Sequence, residues 1–278
     1  MRTWFWASVL TATVAIGTVP ARGQEAKQLA QQGYSVFMLV LGGDEARYPD
    51  AVKLLEQARD LDPSNADNLY NLGRLYFYDA LTKNNGESAL KAEQTLAQLM
   101  ELKPDDTRAL SFHGSILTSL SNGGKDLSKF MLGVREMNTA VERAPREINN
   151  RIVRAFTSRN FPSQALAAMG NYDALSDLEL VRDVFNDNTF SRAPHADVVM
   201  KAFVGDAYKS RGDDAKAKAN FAAALAVPRS GGQGTRAGRD LLDAAIQARM
   251  DGGDKPLGSG AFAGCHSCHW NAPDKILK

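Results

Sequence analysis

The chain carries little excess charge of either sign. Its 278 residues include 33 basic and 32 acidic side chains, a formal net charge of +1. Removal of Arg2 and Arg22 with the N-terminal segment described below turns this charge into −1. A balance so close to neutral excludes the strong basic field that nucleic acid or an anionic membrane requires, and we expect neither as a partner.

The chain is also poor in features that indicate an enzyme. Almost no segment has the pattern of a β-strand, and no acid–base pair or nucleophile stands out. A glycine-rich segment at residues 231–236 resembles a phosphate loop, but it lacks the G-x-x-x-x-G-K-[ST] order and does not follow a strand. The sequence therefore contains no pattern that predicts a catalyst.

Cysteine is scarce, and its placement is the most specific signal in the chain. The only two cysteines lie in Cys265-His266-Ser267-Cys268-His269, which is the C-x-x-C-H signature of covalent c-type haem. Two thiols at this spacing add across the two haem vinyl groups, and the following histidine presents its imidazole to the iron. We predict one covalently attached haem c, with Cys265 and Cys268 as the thioether residues and His269 as the proximal iron ligand.

Three other roles for the cysteine pair stay open. A disulfide would close so small a loop that it would add little stability. A zinc site would need a second pair of ligands at a metal-binding spacing, and a thioredoxin-like pair would need a strand-to-helix setting. The sequence offers neither, so haem is the favoured interpretation.

The N-terminus has the composition of an export signal. Arg2 precedes an apolar run from Trp4 to Val19, and Ala21-Arg22-Gly23 follows with small residues at the positions that a signal peptidase reads. We predict a signal peptide at residues 1–23 and a periplasmic or extracellular mature protein without a membrane span. The alternative, an uncleaved membrane anchor, is weaker because sixteen apolar residues are short for a spanning helix.

An internal repeat of 41 residues organises the body of the chain. Pro63, Pro104 and Pro145 lie 41 residues apart, and Asn186 takes the fourth place. Before each of them, a small residue is followed by apolar residues at offsets of four and seven, the spacing of one helix face. The four sets are Ala51, Leu55 and Ala58; Ala92, Leu96 and Leu99; Gly133, Met137 and Ala140; and Ala174, Leu178 and Val181.

A second pattern follows the prolines: Leu72, Gly73 and Tyr76 in one unit, and Gly205 and Tyr208 in the last. The combined pattern resembles the tetratricopeptide repeat (TPR) family, whose units are helical hairpins. The resemblance implies an all-α TPR-like solenoid of about five hairpins at residues 24–228.

The composition changes after Pro228. A glycine-rich link is followed by a helical pattern from Arg236 to Met250, and a second glycine-rich segment follows at residues 251–264. We predict a link and capping helix at residues 229–250 and a flexible C-terminal haem-binding segment at residues 251–278. Four residues form the predicted apolar side of the capping helix: Leu241, Leu242, Ala245 and Ile246.

The chain departs from the family pattern in two respects. The period is about seven residues longer than usual, and we expect the extra residues between the helices, for example at residues 84–86 and 122–124. In the fourth unit Arg151, Arg154 and Ser158 stand where apolar residues are expected, which leaves that hairpin in doubt.

A distal iron ligand has to come from upstream or from another molecule, because only nine residues follow His269. Met250 is the first candidate, since the chain between it and Cys265 can extend to about 45 Å. His113 and His195 are further candidates, and a vacant or intermolecular position is the alternative. Three arginines could pair with haem propionates or lie on a solvated face: Arg229, Arg236 and Arg239.

These observations predict an exported monohaem c-type cytochrome that transfers electrons. The repeat array would serve as a docking scaffold for a protein redox partner or for self-assembly into a homo-oligomer. The alternative is a periplasmic TPR adaptor that binds a protein or peptide, in which the cysteine pair has a structural, sensing or metal-binding role.

Overall fold

The structure, a computed structural model, describes residues 19–41, 44–158, 161, 166–167, 169, 172–187, 196–229, 233–254 and 257. It is all-α, with no β-strand among these residues. A short 3-10 turn at Glu45–Arg47 accompanies eleven α-helices in the described part: α1 Val19–Leu41, α2 Tyr48–Leu61, α3 Ala66–Thr82, α4 Gly86–Leu102, α5 Thr107–Leu120, α6 Leu127–Arg143, α7 Ile148–Ser158, α8 Ala174–Asp187, α9 Ala196–Ser210, α10 Asp214–Leu225 and α11 Gln233–Met250.

The helices pack as five consecutive hairpins followed by one more helix. The pairs are α1 with α2, α3 with α4, α5 with α6, α7 with α8, and α9 with α10, and α11 packs against α10. Each hairpin contacts mainly its neighbours in sequence, which is the architecture of a solenoid. The predicted fold class is therefore confirmed.

The repeat frames form the core of this solenoid. In the second helix of each hairpin the small and apolar residues at offsets of zero, four and seven face the first helix, and nearly all of them are buried. Each of the first three of these helices ends two residues before its repeat proline, because proline cannot continue the backbone hydrogen bonding of a helix. Asparagine or aspartate then caps the next helix, as Asn65 and Asp106 do for α3 and α5.

Glycine allows the two helices of a hairpin to approach closely. A Cβ atom on Gly73 would lie 2.8 Å from the Leu96 side chain, and one on Gly114 would lie 2.5 Å from the backbone oxygen of Gly133. The third hairpin thus packs backbone against backbone, with a glycine on each helix. The close approach of the helices therefore requires a residue without a side chain at these two positions.

The extra residues of the second repeat do not form a long loop, which corrects the expectation for residues 84–86. Only Lys83, Asn84 and Asn85 separate α3 from α4, and both helices are 17 residues long. Asn84 adopts a positive φ of 52°, and the Asn85 side chain caps α4. In this repeat the longer period is therefore accommodated in helix. Residues 122–124 do form a turn, in which three successive residues have positive φ.

The fourth hairpin forms despite its polar positions. Ile152, Val153 and Phe156 of α7 are buried, so an apolar face exists one position away from the expected one. Arg151 and Arg154 bind the buried carboxylate of Asp177 on α8, with N–O distances of 2.7 and 2.8 Å. Two ion pairs thus add to the apolar packing between these helices.

The capping helix α11 begins at Gln233, earlier than the predicted Arg236. Leu242 and Ile246 are buried as predicted, but Leu241 is 61% exposed, so its assignment to the apolar side is wrong. Arg239 is buried instead. Its Nη2 group donates to the carbonyl oxygens of Ala224 and Val227 at 3.3 and 2.9 Å, which satisfies the C-terminus of α10.

Candidate functional site

The end of α11 joins the solenoid to the segment that carries the cysteine motif. Gly252 has a φ of 101°, and the N–H of Gly253 donates to the carbonyl oxygen of Ala248 at 2.9 Å. This 6→1 hydrogen bond and the left-handed residue before it are the features of a Schellman motif, which ends a helix and turns the chain back.

Three residues then fix the chain to α9, and we call them the C-terminal anchor: Asp206, Arg249 and Leu257. Asp206 Oδ1 accepts from Arg249 Nε at 2.7 Å, and Asp206 Oδ2 accepts from the backbone N–H of Leu257 at 3.1 Å. Arg249 also donates to the carbonyl oxygen of Gly253 at 2.7 Å. All three anchor residues are buried, and the Leu257 side chain belongs to the main hydrophobic core.

Sequence reasoning missed this anchor. A signal was present, since a lone leucine in a glycine-rich segment is a candidate to return to a core. The ion pair between Asp206 and Arg249 has no signal in the sequence, because residues 43 positions apart are related by no helical period. The start of the predicted C-terminal segment is therefore held in place at Leu257.

The haem motif itself lies outside the described residues. Cys265, Cys268 and His269 follow Leu257 by eight to twelve residues, and their roles as thioether residues and iron ligand stay predictions. The candidate distal ligand His195 also lies outside the described residues.

Met250 is the last residue of α11 and directly follows the anchor residue Arg249. Its side chain is partly buried and packs against the core. The position places a thioether at the end of the capping helix, fifteen residues before Cys265 in the sequence. Met250 stays a candidate iron ligand.

His113 has a different environment. It is buried in α5, and its Nδ1 lies 2.7 Å from a carboxylate oxygen of Glu136 on α6. Its Nε2 lies 3.7 Å from Glu93 on α4. Because both ring nitrogens face carboxylates, the ring serves as a polar link between the second and third hairpins. This arrangement favours a structural role over iron ligation.

Two of the three arginines proposed as propionate partners bind carboxylates of the capping helix. Arg229 pairs with Asp240 and, at 2.8 Å, with Asp243. Arg239 pairs with Asp243 at 2.6 Å in addition to its carbonyl contacts. Arg236 lies within α11. These ion pairs with Asp240 and Asp243 thus stabilise the link between α10 and α11.

A cluster of arginines and aromatic rings connects the first helices of the first three hairpins. The Arg74 guanidinium lies 5.4 Å from the ring centre of Phe37 and 5.3 Å from that of Tyr70. Arg108 lies 4.8 Å from the same tyrosine ring, and Phe112 packs edge-on against it. Burial raises the pKa of Tyr70 to about 12, although the two guanidinium groups oppose the shift.

An open cleft of about 1060 Å³ lies between two of the turns that join successive hairpins. One wall is residues 102–108 and the other is residues 144–147, so each wall contains one of the repeat prolines. The lining charges are mixed, with Lys103 and Arg146 close to Asp105 and Glu147. The cleft therefore carries charges of both signs, and neither sign dominates.

The described residues contain no cluster of three or more histidine, cysteine or acidic side chains placed to hold a metal ion. Over the same part of the chain, no helix combines the length and the apolarity needed to cross a membrane.

Comparison with known proteins supports the fold assignment. No family model matches the chain, and no curated protein matches it. The crystal structure of a thermophilic TPR protein from Thermus thermophilus is similar, with a TM-score of 0.55 at 16% identity, over 81% of this chain and 97% of that one. Together with the helical hairpins described above, this likeness defines a TPR-like solenoid.

Proposed function

We propose that the protein is an exported monohaem c-type cytochrome that transfers electrons and whose TPR-like solenoid docks a partner protein. The observation that carries the proposal is the Cys265-His266-Ser267-Cys268-His269 motif, which uses both cysteines of the chain. The apolar N-terminal run supports it, because haem is attached to this motif outside the cytoplasm.

The donor set fits haem c. Cys265 and Cys268 supply two thiols at the spacing that thioether formation requires, and His269 supplies an imidazole directly after them. When bound, this group accepts and donates one electron at a time. The chain's own contribution is to hold the group covalently, to ligate its iron through His269, and to present it beside the solenoid.

Met250 is the proposed distal ligand. It is a thioether at the end of α11, and the chain turns back directly after it. Methionine ligation raises a haem reduction potential because the thioether favours ferrous iron. We expect Met250→Ala to make the reduced protein bind carbon monoxide and to lower its reduction potential. A carbon monoxide spectrum equal to that of the unchanged protein would move the assignment to a neighbouring subunit or to His195.

The solenoid supports the docking part of the proposal. Solenoids of helical hairpins expose extended surfaces on which other proteins bind, and the cleft between residues 102–108 and residues 144–147 is such a surface. Its mixed charge fits a polar protein surface better than a highly charged ligand.

The same fold favours a second candidate function. A TPR-like solenoid without haem would act as an exported adaptor that binds a protein or peptide, and its cysteines would form a disulfide or bind a metal. The two candidates differ in whether the mature protein contains a covalent haem.

One experiment separates them. The protein is produced in a host that matures c-type cytochromes, and its intact mass and reduced absorption spectrum are measured. We expect the mass of one haem and the sharp α-band of a c-type haem, both lost in the matched control Cys265→Ser/Cys268→Ser. A protein of unmodified mass without that band would overturn the cytochrome proposal and leave the adaptor.

A further inference from the structure

The C-terminal anchor does more than end a helix. One buried carboxylate, that of Asp206, binds two separate parts of the C-terminal region: the guanidinium of Arg249 on α11 and the backbone N–H of Leu257 beyond it. The first contact fixes the end of the capping helix, and the second fixes the chain that follows this helix.

The anchor contacts are costly to break. Asp206 and Arg249 are 5% and 7% exposed, so neither charge would be solvated if its partner were removed. Leu257 is 3% exposed and would have to bring its side chain into water. The anchor is therefore a fixed point on the last hairpin, and not a transient contact of a surface segment.

We infer that the C-terminal anchor is a positioning site for the haem-binding segment, which it keeps beside the last hairpin of the solenoid. The inference rests on the proposed function, because it assumes haem at Cys265 and Cys268. Seven residues separate Leu257 from Cys265, against eleven between Cys265 and Gly253, where the Schellman motif holds the chain. The anchor thus shortens the extended reach from about 36 Å to about 23 Å.

The short reach from Leu257 to Cys265 limits where on the solenoid a redox partner can contact the haem. The haem-binding segment stays within one short span of α9 and α11, while the hairpins α1–α2 and α3–α4 lie at the far end of the array. A redox partner has to reach the last hairpin to exchange electrons, and the first hairpins are left to bind it or a second molecule.

The test measures the distance from the haem to the solenoid. In the mature haem-loaded protein the two natural cysteines are consumed as thioethers, so one introduced cysteine can be labelled with a dye that haem quenches. Ala222→Cys on α10 and Gln57→Cys on α2 are two exposed positions, in the last and the first hairpin. We expect a clearly shorter dye lifetime at position 222 than at position 57.

Loss of the anchor should remove this difference. Because a chain freed at Leu257 reaches further from the last hairpin, we expect Leu257→Ala and Asp206→Asn, each made together with Met250→Ala so that the proposed iron ligand does not hold the haem at α11, to lengthen the mean lifetime at position 222 and to broaden its distribution. Leu257→Ala keeps the ion pair between Asp206 and Arg249, so this variant can be measured even if Asp206→Asn does not fold.

Asp177→Asn is the matched control. Asp177 is also a buried aspartate that binds arginines of another helix, but it lies in the fourth hairpin and has no contact with the C-terminal anchor in the described residues. We expect Asp177→Asn to lower stability without changing either lifetime, which separates positioning from general destabilisation.

The outcomes distinguish this inference from the proposed function. A protein without covalent haem would be labelled at its natural cysteines as well and would overturn both. Haem-loaded protein whose lifetime at position 222 is unchanged by Leu257→Ala and Asp206→Asn would overturn the positioning role alone. A lifetime at position 222 that lengthens equally in Asp177→Asn would also overturn the positioning role, because the change would then be an effect of lower stability.

Discussion

The glycine contact inside the third hairpin allows a quantitative test of the repeat packing. A Cβ atom on Gly114 would lie 2.5 Å from the backbone oxygen of Gly133, 3.0 Å from the Glu136 side chain and 3.1 Å from that of Met137. The nearest atom belongs to the backbone of α6, so no rotamer change can relieve the contact. Gly114→Ala therefore has to push α5 and α6 apart.

The expected cost follows from two opposing effects. Overpacking a well-packed contact costs about 1–3 kcal/mol, and we place this backbone contact at about 3 kcal/mol. Replacing glycine by alanine inside a helix contributes about 1 kcal/mol in the opposite direction. We expect Gly114→Ala to lower the free energy of unfolding by about 2 kcal/mol.

Two further glycines serve as matched controls. The three atoms nearest to a Cβ atom on Gly73 all belong to the Leu96 side chain, which can shift where backbone cannot. The two effects then nearly cancel, and Gly73→Ala should change stability by less than about 1 kcal/mol. A Cβ atom on Gly86, at the start of α4, would meet nothing within 4 Å. Gly86→Ala should leave stability unchanged or raise it by up to about 0.5 kcal/mol.

The assay is denaturant unfolding followed by helical circular dichroism on all four proteins under the same conditions. Because solenoids can unfold in parts, the midpoint and the slope of each curve are compared. A Gly114→Ala protein as stable as Gly73→Ala would refute the backbone contact and with it the proposed packing of the third hairpin.

Three other predictions concern single residues. Asp177→Asn leaves two arginines beside a neutral amide and should cost about 3 kcal/mol in denaturant unfolding; a loss below about 1 kcal/mol, as for a surface pair, would contradict the burial of the network. Burial raises the pKa of Tyr70 from 10.0 in the unfolded state to about 12. Its contribution to stability is therefore complete below pH 10 and is lost as the pH rises toward 12, so Tyr70→Phe should flatten this part of an alkaline unfolding curve; an unchanged curve would count against the raised pKa. Cys265→Ser should reduce or abolish covalent haem, read from the intact mass, while circular dichroism shows unchanged helix; a global loss of helix would place the haem in the core.

The helical hairpins could be predicted because their signal is local. Residues such as Leu55, Leu96 and Met137 are buried because a helix brings offsets of four and seven to one face, and that spacing is visible in the sequence. The prolines at the ends of these helices are equally local, since a proline cannot donate the backbone hydrogen bond that a helix requires.

The polar contacts between helices could not be predicted in the same way. His113 binds Glu136, and Arg154 binds Asp177, across 23 residues each. A charged residue at an apolar repeat position argues against a helical hairpin when its partner is unknown. The sequence therefore left the fourth hairpin in doubt, and the structure shows that the buried carboxylate of Asp177 is the partner of its arginines.

The sequence alone determined the repeat, the helices that it encodes and the cysteine motif on which the proposed function depends, because each is a pattern of neighbouring residues. Only the tertiary structure decided that Asp206, Arg249 and Leu257 meet. Asp206 lies 43 and 51 residues from its two partners, and no helical or repeat period relates them. They come together because the capping helix packs on the last hairpin and the chain then turns back onto it.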